Sequence, residues 1–91
     1  MATNTNVDVQ TSSTSILTKN DSRNYFALTN SGSNPVFIAL GATAVADKGV
    51  YLAPQGGVYE LNGMGNPNGL VTEEVNAIAV GGTSNLAVIA Y

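Results

Sequence analysis

Short apolar segments recur along the chain, and each closes on Gly, Pro, Asn or Ser before a helix could develop. Ser15–Thr18 ends at Asn20-Asp21-Ser22, and Tyr25–Thr29 ends at the turn-rich stretch 30–35. Val36–Leu40 stops at Gly41. Val50–Ala53 stops at Pro54-Gln55-Gly56-Gly57, which predicts a tight turn into Val58–Leu61. The Gly- and Asn-rich stretch 62–69 predicts an irregular connection. Val75–Val80 and Leu86–Tyr91 then flank Gly81-Gly82-Thr83-Ser84-Asn85, the pattern of a closing hairpin. About seven strands at short intervals predict an all-β fold, a small antiparallel sandwich or barrel.

The faces of these strands carry a second signal. A half-buried antiparallel strand alternates apolar and polar residues, yet Val36–Leu40 and Leu86–Tyr91 are apolar on both faces. With Val36 and Ile38 inward, Phe37 and Ala39 point outward. With Leu86 and Val88 inward, Ile89 and Tyr91 point outward. Loops covering central strands would account for this, and so would isolated exposed apolar residues. A subunit interface built from Phe37, Ala39, Ile89 and Tyr91 accounts for it better, because large exposed apolar patches are uncommon on soluble monomers.

Residues 1–13 are polar, with Val7 and Val9 as their apolar anchors. They predict an N-terminal arm ahead of a single β domain at 14–91. The arm is either a flexible tail or a strand added to a neighbour, since Val7-Asp8-Val9 alternates as a strand does. Its polar start lacks a cationic and apolar leader, so synthesis in a cytosol is expected.

Composition sharpens the interface reading. Hydrophobic residues make up 44% of the 91, but charged residues only 10%, well below the common share of about 25%. A surface so poor in charge is coated with neutral Ser, Thr and Asn or covered by other subunits. With no cysteine the small core has no disulfide to support it, which adds weight to oligomerisation. The net charge of −3 and three scattered basic residues give no cationic footprint for nucleic acid. No apolar run approaches the ~20 residues of a membrane-spanning helix.

Histidine, cysteine and tryptophan are all absent, so the usual acid–base group, the thiol nucleophile and most transition-metal ligands are missing. Adjacent Glu73 and Glu74 on a strand point to opposite faces and cannot form a glycosidase pair. The acidic residues lack the spacing of a calcium loop. Gly63, Gly65 and Gly69 lack the Lys and following helix of a phosphate loop. No catalytic set, metal site or cofactor is predicted. Among the aromatics, Tyr51 and Tyr59 flank the expected tight turn and form a candidate sugar-stacking pair.

The order of segments resembles small virion proteins of tailed bacteriophages. The resembling residues run through Ser22-Arg23-Asn24, Leu28-Thr29-Asn30, Pro35–Ile38, Gly41, Gly49–Pro54, Val75–Ile78 and Leu86–Val88. The pattern is similar to capsid decoration, or cement, proteins, and related β modules occur in head fibres and tail appendages. The resemblance implies a non-enzymatic structural protein on the capsid surface of a virion, made in the host cytoplasm and bound across major capsid subunits. It implies a homo-oligomer, a trimer in this class, whose arm at Val7 and Val9 contacts the capsid. The alternative it leaves is a fibre or tail module recognising a host surface glycan.

Overall fold

The structure, a computed structural model, describes residues 3–62 and 70–91. The Gly- and Asn-rich connection 63–69, read above as irregular, lies outside them. Eight strands form two antiparallel four-stranded sheets. They are β1 (Thr3–Val9), β2 (Thr14–Leu17), β3 (Tyr25–Asn30), β4 (Val36–Leu40), β5 (Val50–Leu52), β6 (Gly57–Asn62), β7 (Val75–Ala79) and β8 (Ser84–Ala90). One sheet has the order β1-β8-β3-β6, the other β2-β7-β4-β5. A 3-10 turn, Leu70–Thr72, precedes β7.

Among the described strands only β4 and β5 are consecutive within one sheet. Every other connection crosses from one layer to the other, which makes the sandwich a jelly roll. Two sequence readings fail on this topology. The closing hairpin does not form, because β7 pairs with β2 and β4 whereas β8 pairs with β1 and β3. Gly81 and Gly82 both take positive φ, 90° and 150°, and swing the chain between layers rather than turning it back within one. The turn after β5 likewise leads β6 into the opposite sheet.

The N-terminal arm is the other correction. Residues Thr3–Val9 pair along their whole length with β8 of the same chain, from Thr3 opposite Ala90 to Val9 opposite Ser84. Val9 is fully buried and Val7 packs against the core. The alternation that gave the arm its strand character thus serves an intramolecular sheet edge. A strand at 3–9 raises the count from about seven to eight, and the fold begins before residue 14.

Between the layers sit Val9, Phe26, Leu28, Val36, Ile38, Leu52, Val75 and Leu86, all essentially sealed from solvent. Each such side chain contributes about 1.5–3 kcal/mol on burial. Alternation places the partners of these residues on the two outer faces, where the candidate contacts lie.

Candidate functional site

The outer face of the β2-β7-β4-β5 sheet is built by register. Ile78, Phe37 and Tyr51 stand opposite one another across β7, β4 and β5. The Phe37 and Tyr51 rings are 5.3 Å apart and tilted by 54°, within the separation at which aromatic pairs attract. Tyr51 remains 54% exposed. Val80 extends the face just beyond β7, its amide donating to the Pro35 carbonyl at 3.0 Å, and is itself exposed. The next row holds Ser15, Asn76 and Ala39. The Ile78–Phe37–Tyr51 row forms an apolar ridge, and neither row carries a charged side chain.

The outer face of the β1-β8-β3-β6 sheet has the opposite relief. One row runs Asn4–Ile89–Ala27–Glu60 and the next Asn6–Ala87–Thr29–Val58. Three small residues, Ala27, Ala87 and Thr29, sit together in the middle. They floor a shallow concavity of about 290 Å³ bordered by Asn4 and Ile89. Val58, 60% exposed, rises at one side. At one end Tyr25 stacks on Tyr91 at 5.1 Å and donates its hydroxyl to a Glu60 carboxylate oxygen at 2.6 Å. That bond, more than any other influence, holds the Tyr25 phenol above its ordinary range.

The sequence reading placed Phe37, Ala39 and Ile89 on outer faces, and there they lie. It grouped them, with Tyr91, as one interface, and the topology separates them. Phe37 and Ala39 belong to one sheet, Ile89 to the other, and Tyr91 follows β8 at the end of that second sheet. One flat contact cannot use all four. The Tyr51–Tyr59 pair also dissolves: Tyr51 is on β5 beside Phe37, whereas Tyr59 is on β6 and packs inward against Phe26, with ring centres 6.1 Å apart. The aromatic neighbours are Phe37 with Tyr51 and Tyr25 with Tyr91.

Two buried polar residues, not singled out in the sequence reading, hold the layers in place. Arg23 is 5% exposed. Its Nε donates to Val71 O at 2.8 Å, Nη1 to Thr18 O at 3.0 Å and Nη2 to Glu73 O at 2.5 Å, and the guanidinium lies 5.7 Å from the Phe26 ring centre. Burial pulls its pKa down from the ordinary arginine value, and carbonyl dipoles rather than a carboxylate satisfy its donors. A cavity of about 350 Å³ beside it is lined by the loop after β2 and by Ala90 and Tyr91. Asn30, fully buried, uses its whole side-chain amide. Nδ2 donates to Asn34 O and Leu52 O, and Oδ1 accepts from Gly32 N and Ser84 Oγ. Arg23 looks like any cation in sequence, and only its place between a strand end and the 3-10 turn makes it a clip.

Among the described residues no three acidic side chains come close enough to hold a metal ion. Serine hydroxyls have no histidine base anywhere in the chain. The described chemistry is that of contact surfaces and structural clips.

No protein-family model and no curated protein matches the chain. Among solved structures, one described as Bacillus endospore appendages forming a family of disulfide-linked pili aligns with a TM-score of 0.54 at 15% identity. The alignment covers 100% of this chain and 86% of that one. The likeness is one of fold. The disulfide linkage in that description has no counterpart within these 91 residues, which contain no cysteine.

Proposed function

We propose that this chain is a non-enzymatic structural subunit, repeated over the surface of a larger particle. In its finer form the proposal is a decoration protein of a tailed-phage capsid that binds across major capsid subunits as a homo-oligomer. The observation that carries the structural reading is the outward apolar ridge Ile78–Phe37–Tyr51, a row without a charged side chain that water alone covers poorly. The segment pattern that resembles cement proteins supports the capsid form. So does the jelly roll, by analogy, since that architecture recurs in viral capsid domains.

A second reading, a subunit of a fibrous appendage, draws support from the pilus structure that shares this fold. Glycan recognition through Tyr51 and Tyr59 loses its basis, because the two rings sit on different layers.

Quantitative mass spectrometry and cryo-electron microscopy of purified particles separate the readings. Capsid decoration requires a copy number matching the capsid lattice, with density over capsid subunit junctions. Density confined to a fibre, with few copies per particle, supports the appendage. Absence from every particle and filament fraction overturns both.

A further inference from the structure

We propose that the ridge Ile78–Phe37–Tyr51 of one copy docks into the concavity over Ala27, Ala87 and Thr29 of a second copy, so that subunits stack face to back. The inference rests on the reading of the chain as a repeated structural subunit, and it names the copy-to-copy contact.

Three observations converge on a second copy as the occupant. The two outer surfaces differ in relief. One projects a Phe–Tyr pair, and the other sinks to two alanines and a threonine between Ile89 and Val58. Large side chains on one side and small ones on the other are what close packing of two sheets requires.

Charge points the same way. The concave face bears Asp8 and Glu60, so packing it on a copy of itself brings like charges together. The two ridge-side rows carry no charged side chain and meet the concave face without that repulsion. Size is the third observation. The largest cross-section of the molecule, 34 × 23 Å, is at most about 780 Å² per partner, close to the ~800 Å² per partner of a standard interface. A contact approaches that size only with full face-to-face overlap, and a partial edge contact falls short.

Because ridge and concavity belong to opposite sheets, the contact is heterologous and leaves one face of each kind free at the two ends. It therefore propagates as an open column of copies, without cysteine and without exchange of strands. It also explains why outward apolar residues occur on both sheets: Phe37 and Ala39 of one copy meet the surroundings of Ile89 on the next.

Two single substitutions test the contact on the full chain. Ala27→Arg fills the concavity, with Glu60 directly opposite to receive the guanidinium, and Tyr51→Glu charges the ridge. Sedimentation velocity over a concentration series should show wild-type protein forming an open ladder of species, and each variant alone remaining monomeric. Mixed in equal amounts, the two variants should form a heterodimer and nothing larger, since each retains one intact face. Either variant added to wild type should shorten the columns. A variant that loses its β spectrum is replaced by Ala87→Gln or Phe37→Ser, with the same expected results.

Wild type that stays monomeric throughout overturns the contact, as does a closed trimer, an Ala27→Arg variant that assembles normally, or variants that fail to pair. A monomer found at lattice copy number on a capsid overturns the column and leaves the structural role standing. Columns from a chain absent from every capsid overturn the capsid reading and leave the contact standing.

Discussion

Ser84 donates its hydroxyl to Asn30 Oδ1 at 2.8 Å in a fully enclosed site, joining the start of β8 to the end of β3. The same Asn30 amide reaches Leu52 O at the end of β5, on the other sheet, at 3.1 Å. One side chain thus pins both layers at one end of the sandwich. Replacing it by Ala leaves a buried hydroxyl, an amide and two carbonyls without those partners, and should cost about 2–4 kcal/mol. Asn30→Asp should cost at least as much, because an anion would face the carbonyls of Asn34 and Leu52. Urea unfolding followed by circular dichroism measures both, and a loss near zero for Asn30→Ala would show that the pin is dispensable.

Arg23 plays the corresponding part at the opposite end of β3. Its three donors hold carbonyls of the loop after β2, the 3-10 turn and the entry to β7. Arg23→Met keeps the stem against Phe26 but strips those carbonyls, and should lower stability by about 3 kcal/mol. Arg23→Lys should recover only a minor part, since one ammonium cannot span three separated acceptors. Equal stability of Lys and Arg at this position would contradict the clip.

Close approach of backbones makes Gly32 obligatory. A Cβ there would lie 2.0 Å from Ser84 Oγ and 2.6 Å from the Asn85 amide nitrogen. Gly32→Ala should therefore push β8 away from the loop after β3 and lower stability by about 2–3 kcal/mol. Gly56→Ala offers a contrast: it meets no atom within 4 Å, so its loss should come only from its positive φ and be smaller. Thermal unfolding of the pair gives the ranking.

Tyr25 should titrate above its ordinary value of 10.0, because its hydroxyl donates to the Glu60 carboxylate. A raised folded-state pKa means the native state holds this proton more tightly. The associated stabilisation is complete below about pH 10, the unfolded value, and is lost as pH rises through the folded pKa. Ultraviolet titration of the phenolates should show Tyr25 ionising late in wild type, and Glu60→Gln should bring it down.

Truncation separates a structural first strand from a dispensable arm. β1 covers the edge of β8 and supplies Val9 to the core. Val9→Asp places a carboxylate in the sealed interior and should cost about 3 kcal/mol or more. Deleting residues 2–9 should destabilise the domain and expose the edge of β8 to aggregation. A truncated chain as stable as the full one would restore the detached arm.

The sequence by itself determined the strands after residue 13 and their inner and outer faces. Apolar alternation and turn residues act within a few positions, so Val36-Phe37-Ile38 and Leu86-Ala87-Val88 declare their faces before any partner is known. Strand pairing acts over the whole chain. Gly81-Gly82 serves a hairpin or a crossing between layers equally well, and only the competition among all eight strands for edges and core sent β7 and β8 to different sheets. That choice parted Tyr51 from Tyr59 and set Phe37 and Ile89 on opposite sides of the molecule. It also drew residues 3–9 into the fold, because β8 had a free edge that an alternating polar segment with two valines could cover. Arg23 and Asn30 were silent in the sequence for the same reason. Their partners lie up to 54 positions away, and a buried hydrogen bond over such a distance exists only once the chain has closed around it.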